Sequence, residues 1–316
     1  MKTVLITAIA GDIAQGVATI LRETFPKWRL IGTDIHARHG GNLFVDQLLQ
    51  APRADDPGYD EWLGELIERE SIDICIPMSE AELLHLSESG KVEFAGAKLI
   101  MANQKAIEVG SDKLATAAYL GSIGCEKPWT IPVEEFDKST PLPCIFKPRR
   151  SAGSKAIFVC KTSSEVEFYR GIYPPSVLQE LLLPADREVT CAIYRSRDGK
   201  TAVLQLLRSL VGGFTGWAQV IDEPAITAQC TKLAEALDLT GSINAQLRLT
   251  EQGPRIFEIN PRFSSTIFMR HRMGFQDVVW SLQEALGEQV EFSWPAVGTT
   301  AVRVQGAAIL NQGRTL

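Results

Sequence analysis

Residues 241–262, GSINAQLRLTEQGPRIFEINPR, constrain this chain more than any other stretch. The first half places Ile243, Ala245, Leu247 and Leu249 on one face and Asn244, Gln246 and Arg248 on the other, the period of two expected of a strand. The second half alternates Phe257 and Ile259 with Glu258 and Asn260. Thr250 to Pro254 supplies turn residues between them. Pairing symmetric about Gln252 sets Gln246 directly opposite Glu258. Gln246, Glu258 and Asn260 then share one polar face, with Arg262 just past the strand end.

Oxygen-bearing side chains gathered on one face suit Mg2+, which takes hard oxygen ligands and is held by few protein groups plus substrate phosphates. The same alternation also describes a solvated polar face on an edge hairpin, and a one-residue slip of register would scatter the group. With 316 residues and 45% hydrophobic content, the chain has material for two compact domains. A net charge of -6 leaves no electrostatic footprint for nucleic acid, and no Lys/Arg block points to an anionic membrane. Cys75, Cys125, Cys144, Cys160, Cys191 and Cys230 lie far apart without a C-x-x-C pair, which predicts reduced, buried thiols in a cytoplasmic protein. The first ten residues suggest a strand rather than a signal peptide, and no apolar run approaches transmembrane length. His36, His39, His85 and His271 lack metal-ligand spacing, so zinc chemistry is not expected.

Lys2 to Ile9 has a buried-strand pattern, followed by a glycine turn, a helix to about Arg22, and a second strand from Trp28 to Thr33 that ends at Asp34. This is the outline of a Rossmann-type unit. Gly11 and Gly16 do not complete G-x-G-x-x-G, and Asp12 puts negative charge where a pyrophosphate would sit, so a scaffold without dinucleotide is expected. Asp60 to Arg69 spaces Trp62, Leu63, Leu66 and Ile67 for one buried helical face. Ile72 to Pro77 is the next strand, and Ser79 with Glu82 forms a capping box for the helix after it. Loops at strand ends line the site in such sheets, which places Ser79 and Glu80 near it. Lys98 to Met101 is the last strand of this unit.

Lys113 opens a capped helix and by itself is an ordinary exposed lysine. Pro143 to Pro148 is a short strand that delivers Lys147 to a basic Gly/Ser loop, with a return strand from Ala156 to Cys160. Ser151, Gly153 and Ser154 in that loop can lay backbone N–H groups on phosphate oxygens while the lysine supplies charge, or the segment is a basic surface turn. Strand patterns follow over Val177 to Leu183, Arg187 to Tyr194 and Val203 to Leu207. Arg208, at the end of the last, either holds an acidic substrate or the transferred phosphate, or forms a rim salt bridge. Ile226 to Leu237 is an amphipathic structural helix, and Pro295 to Leu310 a closing strand. Ser264 and Ser265 either offer donors to an acceptor or cap a helix.

The run Phe257 to Arg262, with Asn244, Ala245 and Gln246 shortly before it, resembles the metal-binding signature of the ATP-grasp superfamily. Its Gln, Glu and Asn set is most similar to the carbamoyl-phosphate synthase large-subunit branch. The landmarks Lys113, Lys147, Glu180, Glu188, Gln246, Glu258, Asn260 and Arg262 occur in the family's order over roughly the whole chain. The resemblance implies that Lys113 and Lys147 hold nucleotide phosphates, and that Ser151, Gly153 and Ser154 form the phosphate loop. Glu180 and Leu182 would be the hinge that reads adenine, and Glu188 would meet the ribose hydroxyls. Gln246, Glu258 and Asn260 would bind Mg2+ or Mn2+, and Arg262 would reach the γ-phosphate. Ala156 departs from the pattern, since many relatives have glycine there.

The fold implied is α/β: a Rossmann-like pre-ATP-grasp domain over residues 1–110, then a two-part ATP-grasp fold over 111–316. The latter comprises an α+β lid at residues 115–182 and an antiparallel-sheet metal-binding subdomain. The activity implied is an ATP- and Mg2+-dependent ligase that activates a carboxylate as an acyl phosphate for attack by an amine. Its partners are then small-molecule carboxylate and amine substrates, with homodimerisation left open. A nucleotide-binding module without catalysis is the alternative, because two of the three ligand positions are neutral amides. A nicotinamide-dependent oxidoreductase is a third, disfavoured by Asp12.

Overall fold

The computed structural model describes residues 1–150, 156–304 and 306, and the chain forms three sheets. β1 (Thr3–Ile6) carries Val4, Leu5 and Ile6, an unbroken apolar run that a strand covered on both faces can hide, and all three are fully buried. It stops at Ile6 rather than Ile9 because the backbone turns left-handed at Ala8 (φ 48°) on its way into α1 (Asp12–Thr24). β2 (Arg29–Asp34), β3 (Gln47–Gln50), β4 (Ile74–Ile76), β5 (Glu93–Phe94) and β6 (Ala97–Leu99) complete the front sheet in the order β3-β2-β1-β4-β6-β5. All pairings are parallel except that of edge strand β5. On one face α1 packs Val17, Ile20 and Leu21, and on the other α2 (Tyr59–Glu70) packs Tyr59, Leu63 and Leu66. α3 (Glu80–Ser87) starts with the expected capping box between Ser79 and Glu82.

α4 (Gln104–Gly110) and α5 (Lys113–Ser122) lead to a small antiparallel sheet. Its strands are β7 (Thr130–Pro132), β8 (Cys144–Pro148), β9 (Phe158–Cys160) and β10 (Ser176–Glu180), with α6 (Ser163–Ile172) against one side. Val133, Phe146, Val166 and Leu178 give this sheet a core of its own. Ala156 has φ 59°, so an alanine here carries the left-handed backbone that glycine adopts without cost.

The largest sheet is antiparallel: β11 (Glu188–Arg195), β12 (Thr201–Val211), β13 (Phe214–Ile221), β14 (Gly241–Thr250), β15 (Gly253–Asn260) and β16 (Thr300–Val302). α7 (Pro224–Ala236) lays Ile226, Cys230 and Leu233 on Val189, Ile243 and Leu247. α8 (Ile267–Met273) and α9 (Asp277–Ala285) send Ile267, Val278 and Leu282 into the core that holds α1, which ties this sheet to the front one. Arg208 lies inside β12 rather than at its end, because the strand runs on to the turn at Gly212 and Gly213. The closing strand is shorter than Pro295 to Leu310: β16 covers Thr300–Val302, and residues 305 and 307–310 lie outside the described part. The six cysteines are buried and unbridged. No helix among the described residues is long and apolar enough to cross a membrane.

The hairpin β14–β15 holds the expected pairing by an unexpected route. Near the turn Thr250 faces Gly253 and Leu247 faces Ile256, a register that would set Gln246 against Phe257. A β-bulge absorbs Phe257 as an extra residue, so Gln246 faces Glu258 and Asn244 faces Asn260. Ile256 and Ile259 are buried, while Phe257 and Glu258 are both half-buried. Phe257 therefore leaves the core face that alternation assigned to it beside Ile259.

Candidate active site

Between the small sheet and the largest one lies a cavity of about 310 Å3, within the range of about 300–1,000 Å3 common to small-molecule sites. Lys147 of β8 and Gln179 of β10 line one wall; Glu188, Gln246 and Glu258 line the other. Ile145, Leu182 and Leu210 add apolar surface. The bulge turns Phe257 toward this cavity together with Glu258.

Asn260 Nδ2 lies 3.1 Å from Glu258 Oε1, and the Gln246 amide makes no side-chain hydrogen bond among the described residues. A half-turn of the Asn260 amide replaces that donor by an oxygen. One carboxylate and two amide oxygens on one pleated face fit a hard divalent cation and leave coordination positions for phosphate and water. These are the residues that would hold Mg2+ or Mn2+.

Lys147 is 2% exposed and donates to Gln179 Oε1 at 2.8 Å, with its ammonium 5.7 Å from the centre of the Phe257 ring. Burial pushes its pKa down from 10.5 to about 8, against the pull of Glu258 and with the help of Lys113. The folded state gives up this proton near pH 8 while the unfolded chain keeps it until about 10.5. The charge therefore opposes folding below pH 8, and stability recovers as the pH rises across that window. Lys147→Met removes up to about 3 kcal/mol of this penalty at neutral pH and forfeits about 1 kcal/mol of hydrogen bonding to Gln179. The variant should be more stable by about 2 kcal/mol at pH 7, with the gain vanishing toward pH 10. Urea melts at both pH values check this.

Charged pairs stiffen the cavity walls. Glu188 accepts from Arg208 Nε and Nη2 at 3.0 and 2.7 Å and from Arg248 Nη2 at 2.8 Å. Arg208 is 8% exposed, so its ion pair is part of the wall rather than the rim. The Glu180 carboxylate takes Arg255 Nη1 at 2.8 and 2.9 Å and the Trp129 N–H at 3.2 Å, which fixes β10 where Leu181 and Leu182 border the cavity.

Lys113 is 9% exposed rather than surface-lying, and its N–H is bonded to the carbonyl of Arg149, the residue that follows β8. Asp112 caps α5 and also accepts from Arg149 Nε at 2.9 Å. Burial raises the Glu80 carboxyl above the usual range; Arg262 and Lys113 pull it back, and Glu258 pushes it further up. These charges therefore meet beside the face that carries Glu258. Arg262 Nη1 donates to the Phe263 carbonyl at 2.9 Å. Behind its loop Arg270, fully buried, pairs with Asp277 at 2.9 and 2.7 Å and donates to Ser264 at 2.8 Å. The Ser264 hydroxyl is thus engaged in bracing the loop, and the Ser265 carbonyl accepts from Arg303. Ser151, Gly153 and Ser154 lie outside the described residues.

Gln179 and Phe257 were not expected in the site. The available signal for Gln179 was its place beside Glu180 in the otherwise apolar run from Val177 to Leu183. Phe257 had none, since only the bulge turns it.

Residues 176–307 match the family model described as "ATP-grasp in the biosynthetic pathway with Ter operon". D-alanine--D-alanine ligase from Thermotoga petrophila is 36% identical over 93 residues, which are 28% of this chain and 30% of that protein. The chain thus spans under a third of that curated relative. The crystal structure of N5-carboxyaminoimidazole ribonucleotide synthetase from Thermus thermophilus superposes with a TM-score of 0.73 at 18% identity, covering 96% of this chain and 82% of that one. The biotin carboxylase domain of 2-oxoglutarate carboxylase from Hydrogenobacter thermophilus, solved with MgADP, ADP and bicarbonate, gives 0.74 at 15% identity over 95% of this chain and 73% of that one. At such identities the likeness is one of fold, and it runs through all three sheets. The segment that matches the ATP-grasp model carries Gln246, Glu258 and Asn260, so this part of the chain is similar to that family, and the chain as a whole shares the fold of these solved structures.

Proposed function

We propose that this chain is an ATP- and Mg2+-dependent ligase that joins a carboxylate to an amine. The observation that carries the proposal is the bulged hairpin, which sets Gln246 against Glu258 on the cavity that also holds Lys147. D-alanine--D-alanine ligase, the matched relative, supports the reaction class by name. In this reading Lys147 and Lys113 neutralise nucleotide phosphates, and the hinge at Glu180 and Leu182 borders the adenine. Glu188, held by its two arginines, faces the ribose. Residues 115–182 form a lid of which the small sheet is the main part, and 1–110 the front domain.

Gln246, Glu258 and Asn260 would hold Mg2+, which would supply positive charge to stabilise the phosphoryl group in transfer. The substrate carboxylate oxygen bonds to the γ-phosphorus as the bond to the bridging oxygen breaks, releasing ADP. The amine nitrogen then bonds to the acyl carbon, phosphate departs with the C–O electron pair, and the amine loses a proton. In this reading Arg262, just past β15 and felt by the Glu80 carboxyl, would hold the moving phosphoryl group. The protein's share is alignment and charge compensation, the main levers in phosphoryl transfer.

Incubation with Mg-ATP and pooled carboxylates and amines should release ADP only when both pools are present. Mg-ATP should raise the melting temperature, and NADH should leave it unchanged. Nucleotide binding with no release across the pools would favour the second reading, a binding module, which the neutral amides at 246 and 260 motivate.

A further inference from the structure

A crevice of about 300 Å3, sharing no residue with the nucleotide cavity, opens at the carboxyl ends of the front-sheet strands, where ligands of parallel sheets commonly sit. Thr33 lies on its floor. Ile31 packs with Tyr59 and Leu63 of α2, and strand alternation puts the Thr33 side chain on that same face. Thr33 is fully buried, yet its hydroxyl has no hydrogen-bond partner among the described residues. Folded proteins rarely leave such a group unpaired unless something else fills it.

The charges around the crevice define what would fill it. The Glu82 carboxylate collects the hydroxyls of Thr7 and Ser79 at 2.6 Å and of Tyr59 at 3.0 Å. Asp34 is 6% exposed and accepts the N–H groups of Ala10 and His36 at 2.9 Å. Neither carboxylate has a basic partner among the described residues, and Arg53 at the rim is already paired with Asp55 at 2.9 Å. A phosphate or carboxylate entering here would meet the two carboxylates, with the Asp55-paired Arg53 and His36 as the basic side chains among the described lining residues. A hydrogen-bond donor would meet acceptors. Ser79 and Ala81, which line the crevice, flank Glu80, whose carboxyl feels Arg262.

We infer that this crevice binds the body of the amine substrate, and that this substrate is a small hydroxyl-bearing amine without a phosphate or carboxylate group. The inference rests on the ligase reading for the word substrate; the crevice and its preference for donors stand without it.

Hydroxylated amines (glucosamine and 2-amino-1,3-propanediol) titrated calorimetrically into the full chain without nucleotide should bind saturably. Glucosamine 6-phosphate should bind at least tenfold more weakly. Ala81→Trp, at an exposed helix position, should abolish amine binding and keep the Mg-ATP melting shift. Thr33→Val should weaken amine binding about tenfold, the loss of roughly one hydrogen bond, without lowering the melting temperature. Equal binding of the phosphate, undiminished binding in Ala81→Trp, or no binding of either amine would overturn the crevice. Amine binding without amine-stimulated ADP release would instead remove the ligase reading and leave the crevice standing. Amine-stimulated release that survives Ala81→Trp does the reverse.

Discussion

Glu258→Gln should cut ATP turnover on the order of a thousandfold, the scale of losing a metal's charge stabilisation, while the protein melts as before. Glu258 is the only carboxylate in its set, and glutamine keeps the shape and the oxygen that accepts from Asn260 at 3.1 Å. What disappears is the negative charge that, in the proposed reading, would draw a divalent cation onto this face. Nucleotide titrations with Mg2+ and with EDTA should then coincide in the variant and differ in the native chain. A second consequence follows from Lys147. Glu258 sustains its charge against burial, so in the variant this lysine should titrate below about 8. Phosphate binding should therefore weaken at a lower pH than in the native chain. If the hairpin face were merely solvated, both turnover and the Mg2+ dependence of binding would survive the substitution.

Much of this geometry was legible in the sequence, for local reasons. Alternation along 241–250 and 253–260 reports which side chains share a face, and turn chemistry places the hairpin. The Ser79 and Glu82 capping box is likewise a short-range pattern that folding realised. What escaped was non-local. Whether Lys113 is exposed depends on what distant chain comes to lie against it, and the bond from its N–H to the Arg149 carbonyl is a contact about which its own helix says nothing. Arg270 sits in an Arg-His-Arg run that resembles surface, and only the fold brings Asp277 and Ser264 around it. The bulge at Phe257 is the clearest case. The correct pairing of Gln246 with Glu258 was expected from a uniform register, whereas the chain reaches it by absorbing one residue between a tight turn and the strand end. A two-residue turn and a face-to-face pairing of those side chains cannot both hold in a regular ladder, because a one-residue shift exchanges faces.

Arg262→Ala should slow turnover by about 2–4 kcal/mol in activation free energy, the usual loss for one charge-stabilising donor, with little change in the ATP concentration required. The geometry separates this arginine from its neighbours. Its side-chain hydrogen bond runs to the adjacent Phe263 carbonyl at 2.9 Å, whereas the loop is held by the buried Arg270 with Asp277, Ser264 and Thr266. Removing Arg262 therefore spares the brace, and the melting temperature should hold. Lys147 differs, being enclosed against the small sheet where the nucleotide's resting phosphates would lie. Interactions with charge already present in the ground state set affinity; those that strengthen as the phosphoryl group moves set the rate. Lys147→Met should accordingly raise the ATP requirement and the melting temperature together, and Arg262→Ala should change neither while turnover falls. Steady-state kinetics and melts on both variants distinguish the roles. An Arg262→Ala protein with normal turnover and a raised ATP requirement would reverse them, and one that melts lower with unchanged turnover would make Arg262 a packing residue.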